Sequence, residues 1–325
     1  MKLRLLAFAA VLGAAATLAI AFAGEASFQG AVIKKPYDAA SHGQSPKTAS
    51  TQILYHGGPV MNQSNSVYVI YYGTFPSTTQ PIINDFLVGL SGSGEYGVNH
   101  TYNDPTASNP MFIPINYAFT PPKKNDSSNP SGSVYFDDYS QGTKLGNSSI
   151  PNIVANAINN GFKSPDQNGV YLVITSPDVK ISGFCTSFCA YHTTSATMFS
   201  GMHIRYALIP DPTQRCSACN GGIAVYGDTA TPNGDMGADT MTDDIMHELS
   251  ETVTDPDISA WYTKGGAENG DLCNYVYDTT PSTPGLLQTV AVSGGTAHYN
   301  ATLNGRNFLI QLIWKNAGAG VCAAH

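Results

Sequence analysis

The sequence predicts a single three-layer α/β (α+β) domain with a mixed sheet, a metal-binding helix and disulfide-stapled loops. Strand-like and helix-like segments alternate through the first half of the chain, and strand-like segments dominate the end. Such alternation favours a sheet whose faces are covered by helices. Because no internal repeat or clear linker interrupts residues 53–325, one globular domain is the simplest interpretation.

Two segments precede this domain. Residues 1–23 are interpreted as a signal peptide, because basic residues precede a long apolar run that ends in an A-x-A cleavage signal. An uncleaved membrane anchor is the alternative, since the run approaches the ~18 residues of a membrane span. Residues 24–52 are polar and predict a flexible N-terminal arm. We therefore expect a secreted protein, extracellular or periplasmic, with no membrane segment after signal cleavage.

The elements of the domain follow in order along the chain. Residues 67–72 (VYVIYY) form a β-branched and aromatic run ended by Gly73, which is typical of a buried strand. Residues 80–90 space their apolar side chains as one helix face, and Pro81 suits a first helical turn. The later elements are predicted in the same way: strands at 112–119, 170–175, 204–209, 287–292, 298–303 and 308–314, helices at 150–162 and 241–254, and a surface loop at 121–142.

The composition narrows the class of partner. Charged residues make up 12% of the chain and the formal net charge is -8, so nucleic acid and anionic membrane surfaces are excluded as expected partners. We expect a monomer that acts on a peptide or a cell-wall substrate, if it acts on a substrate at all.

Six cysteines in an exported chain predict disulfides. Spacing favours Cys185–Cys189 and Cys216–Cys219 as tight loops, with Cys273–Cys322 as a long staple. Other pairings stay open, and a structural zinc site built from the two close pairs is an alternative.

The run DDIMHELSETVTDPD, residues 243–257, carries the strongest chemical signal. His247 and Glu251 are four residues apart, so on a helix they project from one face and can hold a divalent metal ion. Glu248 lies beside them and can serve as a general base. This is the logic of the H-E-x-x-H zinc hydrolases, with Glu in place of the second His. A proline ends the predicted helix, because the residue before proline avoids the α region.

A further metal ligand is expected downstream of the motif. The candidates are Glu268, Asp271 and Asp255, and glycines around Glu268 allow its loop to bend back onto the helix. Zn²⁺ is the expected ion, held at a site that keeps one position open for water. Ca²⁺ or Mn²⁺ is the alternative, because one His with two carboxylates is a hard, anionic ligand set.

The competing interpretation is that this acidic helix face is simply solvated. Against it, Lys264 is the only nearby cation, and clustered carboxylates without cations repel one another. The other histidines singled out, His56, His192 and His203, are expected to be structural or exposed.

Several stretches resemble the plant phosphate-induced, or EXORDIUM-like, secreted proteins. They are YHGGPVM at 55–61, VYVIYYGTF at 67–75 with the following PIINDFLVGLSG, VYLVITSPDV at 170–179, GFCTSFCAYH at 183–192, and the cysteines at 216, 219, 273 and 322. This resemblance implies an extracellular protein linked to growth and cell-wall physiology, with no firmly established biochemical activity.

The motif segment departs from those plant proteins and resembles a microbial secreted group with HEL-x-E-x-x-TDP and a later E-x-GDLC, peptidase-like by motif. Assigning the site to the motif helix and the downstream carboxylates rests on this second resemblance. The sequence thus leads to two hypotheses. The first is a secreted zinc peptidase with Glu248 as general base. The alternative is a non-catalytic extracellular EXORDIUM-like cell-wall or growth-related protein with at most a structural metal.

Overall fold

The computed structural model describes residues 31–38, 52–62, 66–105, 133–278 and 286–325. Its α-helices are α1 (Thr79–Leu90), α2 (Gly94–Gly97), α3 (Ser149–Asn159) and α4 (Met236–Thr254). Its strands are β1 (Val32–Lys34), β2 (Leu54–Tyr55), β3 (Ser66–Tyr72), β4 (Val134–Asp137), β5 (Lys144–Leu145), β6 (Gly169–Thr175), β7 (Lys180–Ile181), β8 (Ala190–Phe199), β9 (Met202–Pro210), β10 (Trp261–Tyr262), β11 (Gln288–Val292), β12 (Gly295–Tyr299), β13 (Ala301–Leu303), β14 (Arg306–Phe308), β15 (Ile313–Lys315) and β16 (Val321–Ala323). The predicted signal peptide, residues 24–30 and 39–51 of the predicted arm, and the predicted strand at 112–119 lie outside the described residues.

Six strands form one mixed sheet in the order β1-β8-β9-β6-β3-β4. The strands β4, β3, β6 and β9 run parallel to one another, while β8 is antiparallel to both β9 and β1. The remaining strands form two-stranded pairs at the periphery. The prediction of an α+β fold with a mixed sheet is therefore confirmed.

Helices cover both faces of this sheet. In β3, alternate side chains divide between two cores because successive residues of a strand point to opposite faces. Val67, Val69 and Tyr71 share one core with apolar residues of α1 and α4. Tyr68 and Ile70 belong to the other core, together with α3. The molecule thus has three layers, with α4 beneath the strands β8 and β9.

Helix α4 is unusual because it is polar in composition yet buried on every side. Every residue from Gly237 to Thr254 is buried. Asp235 caps its first turn by accepting a hydrogen bond from the Ala238 amide, and it also accepts the hydroxyl of Thr79. The sequence predicted that this helix begins at residue 241, whereas it begins at Met236. The apolar periodicity on which the prediction relied does not reveal the capping aspartate. The polar face of α4 consequently lies inside the protein.

The predicted flexible arm is wrong for residues 31–38, the part that the structure describes. There β1 pairs with β8 and extends the central sheet. Lys34 is fully buried and its ammonium lies 2.6 Å from Asp243 and 2.9 Å from Asp244. The polar sequence of this segment suggested exposure to water. The charge of Lys34 is instead neutralised by two aspartates of α4, which lies far along the chain.

The two predicted short-range disulfides are also wrong. The structure pairs Cys185 with Cys216 and Cys189 with Cys219. These bonds join the loop before β8 to the loop after β9, instead of closing each loop on itself. The bridge Cys273–Cys322 is present. In the part of the chain that the structure describes, every cysteine is bridged, so the structural zinc site built from cysteines is excluded there.

Within the described ranges, no helix combines the length and apolar character needed to cross a bilayer.

Candidate metal centre

The site is assembled from three parts of the chain. Helix α4 supplies His247, Glu248 and Glu251, whose helical spacing places the first and last on one face. Strand β8 supplies His192. The loop before the 3-10 turn Asp271–Cys273 supplies Glu268, and the first residue of this turn supplies the carboxylate of Asp271. The sequence predicted all of these except the histidine on β8.

His247, Glu251 and Asp271 form the first group that can hold a metal ion. The Nε2 atom of His247 lies 3.1 Å from Oε1 of Glu251 and 3.9 Å from Oδ1 of Asp271. The Asp271 amide donates a hydrogen bond to Glu251 Oε1 at 3.0 Å, which holds the turn against the helix. Asp271 is the only partly exposed member, at 20% of its side chain.

His192, Glu251 and Glu268 form the second group. His192 Nε2 lies 3.5 Å from Oε2 of Glu251 and 3.5 Å from Oε2 of Glu268. These three side chains are almost completely buried, with exposures of 0%, 0% and 1%. Of the two expectations for His192, exposure is wrong, because the ring is fully buried and faces the carboxylates of the site.

Gln311 fixes the proton on His247. The amide nitrogen of Gln311 donates to the Gly270 carbonyl at 2.9 Å, so its Oε1 acts as the acceptor that faces His247 Nδ1 at 3.0 Å. Nδ1 must then carry the proton, and in the neutral ring the Nε2 lone pair points at the Glu251 carboxylate. Two lone pairs at that distance repel unless a second proton or a metal ion lies between them. Sequence reasoning missed Gln311, which lies 64 residues after His247.

Burial and mutual repulsion perturb the titration of the whole site. Burial lowers the pKa of His192 to about 4, so this ring is neutral. Burial is the largest influence and acts to lower the pKa of His247, but attraction and hydrogen bonding to Glu251, together with attraction to Glu248, outweigh it and raise that pKa to about 10. Burial raises the pKa of Glu248 and of Glu268 well above the ordinary glutamate value, and repulsion from Glu251 adds to both. Protons therefore occupy this cluster whenever no metal cation neutralises it.

The geometry fits a divalent metal ion. Zinc binds nitrogen and oxygen at ~2.0–2.2 Å, so neighbouring ligand atoms of a tetrahedral site lie roughly 3.3–3.6 Å apart. Both separations of 3.5 Å from His192 to the glutamates lie in that range, and the separation of 3.1 Å between His247 and Glu251 falls just below it. The carboxylates also present atoms with no hydrogen-bond partner, namely Glu251 Oε2 and both oxygens of Glu268. Buried polar atoms normally have partners, so this set is suited to a cation.

Gly270 allows the loop to approach the helix. A Cβ atom at this position would lie 2.9 Å from Glu251 Oε1 and 2.9 Å from His247 Cγ. Real Cβ contacts essentially never fall so short. The glycine is therefore needed to bring the downstream ligands to α4.

Other predicted residues lie outside both groups. Asp255 accepts the amides of Ser259 and Ala260 through Oδ1, so it shapes the turn after α4. His56 stacks on Tyr262 at the surface. His203 pairs with Asp257 and is 41% exposed. The interpretation of the acidic helix face as solvated is wrong, because Asp244, Glu248 and Glu251 are each 0% exposed.

Fold and site together define a disulfide-linked α+β protein with a buried cluster of histidines and carboxylates. Residues 53–324 match the family described as "Phosphate-induced protein 1 conserved region", and the chain belongs to this family. The resemblance to the phosphate-induced and EXORDIUM-like proteins noted from the sequence motifs is thus confirmed.

Curated plant proteins show the same relationship. Protein EXORDIUM-like 5 of Arabidopsis thaliana is 30% identical over 286 residues, which cover 81% of this chain and 75% of that protein. Protein EXORDIUM-like 3 of the same plant is 28% identical over 82% of this chain and 81% of its own length. Protein PHOSPHATE-INDUCED 1 of Nicotiana tabacum is 27% identical over 81% and 85%. No solved structure matches the chain.

Proposed function

We propose that this protein is a non-catalytic, extracellular EXORDIUM-like protein in which a buried divalent metal ion, preferably zinc, stabilises the fold. His247, Glu251 and Asp271 would hold the ion between α4 and the turn that follows Glu268. Family membership supports the EXORDIUM-like assignment. Disulfide bonds and the predicted signal peptide support an oxidising compartment outside the cytosol, extracellular or periplasmic.

Burial is the observation that carries the structural role for the metal. The side chains of His247 and Glu251 are 0% exposed, and so is Glu248, the residue that a hydrolase would use as base. Hydrolysis requires reacting atoms about 3–3.5 Å apart in the bound substrate. A polypeptide substrate has no room to reach these atoms in the described structure without displacing the loop or strand that encloses them.

The ligand set also narrows the identity of the ion. The proposed ligand set combines the imidazole of His247 with the carboxylates of Glu251 and Asp271. Calcium takes oxygen ligands, whereas zinc and manganese accept imidazole and carboxylate together. The donor atoms therefore favour Zn²⁺, with Mn²⁺ as the second choice, over the Ca²⁺ alternative.

Metal content and stability test this proposal. Purified protein should contain zinc, and removal of zinc by a chelator should lower the unfolding temperature. If free zinc is about 1,000 times its Kd, the stabilisation is about 4 kcal/mol. Glu251→Gln should lower stability similarly and abolish the chelator effect, while Glu95→Gln, at a partly exposed glutamate of α2, should leave both intact. Protein that binds no metal even after reconstitution would contradict the proposal.

A secreted zinc hydrolase is the second candidate, and Glu248 is the observation that favours it. Both of its carboxylate oxygens lack a hydrogen-bond partner in the described structure, directly beside the ligands on α4. Bound zinc would supply Lewis acidity that makes water easier to deprotonate. The role of Glu248 would be to accept that proton. Cleavage of a peptide or cell-wall substrate by the wild type, abolished in Glu248→Gln with its metal retained, would establish this candidate instead.

The remaining partner assignments are proposals of the same kind. A formal net charge of -8 disfavours nucleic acid and anionic membranes as partners. We propose a monomer that works in the cell-wall space. Its mass by light scattering and its recovery from culture medium rather than from the cell pellet test these two points.

A further inference from the structure

The carboxylate of Glu251 faces a different histidine with each of its oxygens. Its Oε1 atom lies 3.1 Å from Nε2 of His247, and its Oε2 atom lies 3.5 Å from Nε2 of His192. The site residues accordingly fall into two groups of three that share only Glu251. A carboxylate in this position can bridge two metal ions.

Each group has its own additional carboxylate. Asp271 completes the group around His247, and Glu268 completes the group around His192. Backbone hydrogen bonds fix Asp271 but not the side chain of Glu268. The Glu268 amide donates to Asp271 Oδ2 at 3.1 Å, and the Asp271 amide donates to Glu251 Oε1. Glu268 is thereby left free of any hydrogen bond at both of its oxygens, as is the ring of His192 at both of its nitrogens.

We propose that the site binds two divalent transition-metal ions bridged by Glu251. One ion is held by His247, Glu251 and Asp271, and the other by His192, Glu251 and Glu268. This inference rests on the proposed metal-binding function and adds a second ion to it. Zn²⁺ and Mn²⁺ are the ions expected, because each group combines one imidazole nitrogen with carboxylate oxygens.

Charge balance favours a pair of ions over a single one. With Glu248, the site brings four carboxylates together in a buried region, while Gln311 holds the proton of His247 on the nitrogen that faces away from them. When all four carboxylates are ionised, one divalent cation compensates half of their charge and two divalent cations balance it. In known two-metal sites the ions lie ~3.5–4 Å apart, which one bridging carboxylate can span.

The number of bound ions in the full-length mature protein tests the inference. Protein is reconstituted with ZnCl₂ or MnCl₂, freed of excess metal, and analysed for metal per polypeptide by mass spectrometry. Two ions are expected in the wild type. The isosteric variants Glu268→Gln and Asp271→Asn should each retain one ion, and Asp255→Asn, a buried carboxylate outside both groups, should retain two. The manganese form should show the exchange-coupled electron paramagnetic resonance spectrum of a bridged pair.

The outcomes separate this inference from the function on which it rests. A single ion in the wild type, lost equally in Glu268→Gln and Asp271→Asn, would overturn the second ion while keeping a metal-binding protein. An uncoupled mononuclear manganese spectrum at full loading would overturn it as well. No bound ion would overturn both. Because wild-type stoichiometry decides the question, a variant that fails to fold does not obscure the result.

Discussion

Replacement of Lys34 by methionine is expected to destabilise the fold by about 3–5 kcal/mol, the usual cost of removing one partner from a buried ion pair. Its ammonium lies 2.6 Å from Asp243 and 2.9 Å from Asp244, at 0% exposure. Methionine fills a similar volume but leaves both carboxylates buried without their cation. At about 2–4 °C per kcal/mol, the midpoint of thermal unfolding should fall by roughly 6–20 °C.

The effect should also depend on pH. Burial is the largest cause that raises the pKa of Asp244, to about 6, and Lys34 opposes this rise. Without the lysine the folded-state pKa moves further above the unfolded value, so the folded protein binds more protons than the unfolded chain. The defect of Lys34→Met should therefore shrink as the pH falls from about 7.5 toward 5.

Lys35→Met is the matched control, because Lys35 is the exposed neighbour on the same segment. Surface substitutions of this kind stay within about 0.5 kcal/mol. Urea and thermal unfolding of the two variants, measured side by side between pH 5 and 7.5, give the comparison. Equal stability of the Lys34 and Lys35 variants would refute the argument that β1 carries a required charge into the core.

Three further results are expected. Gly270→Ala should weaken zinc binding in a competition assay, because the added Cβ would collide with His247 and Glu251. Gly265→Ala is the control and should bind zinc as the wild type does, because the one atom near its added Cβ lies 3.9 Å away. Equal zinc affinities of the two variants would contradict the role assigned to Gly270. Gln311→Leu should lower metal affinity by about 10–100-fold, as removal of a hydrogen bond to a ligating histidine does, and unchanged affinity would exclude Gln311 as the positioning residue. Peptide mapping without reduction should recover Cys185 joined to Cys216, and recovery of a Cys185–Cys189 loop would contradict the structure.

The parts of the fold that depend on local pattern were predictable from the sequence. The helical spacing of His247 and Glu251, and the end of α4 before Pro256, depend only on neighbours within one or two turns. The strands β3 and β6 also follow from their apolar runs. The two strands have continuous apolar sequences because their side chains face cores on both sides of the sheet.

The features that were missed depend on contacts between distant segments. His192 joins the site only because β8 lies over α4, and the order of strands in a sheet is not encoded in any single strand. Cys189 likewise bonds to Cys219, because the antiparallel pairing of β8 with β9 places the loop before β8 next to the loop after β9. The sequence around Lys34 suggested a solvated lysine, because the two aspartates that pair with it lie far along the chain on α4.

The pairing of β1 with β8 also determines when the molecule can be completed. Lys34 and Asp243 are 209 residues apart in the sequence, so at ~5–20 residues per second the lysine is made roughly 10–40 s before its acidic partners. During that interval Lys34 has no counter-charge, although its strand partner β8 is made before helix α4. The central sheet can assemble around β3, β6 and β9 while its outer strand waits. The earliest strand of the described chain can therefore bury its lysine only after the long helix that neutralises it has been made.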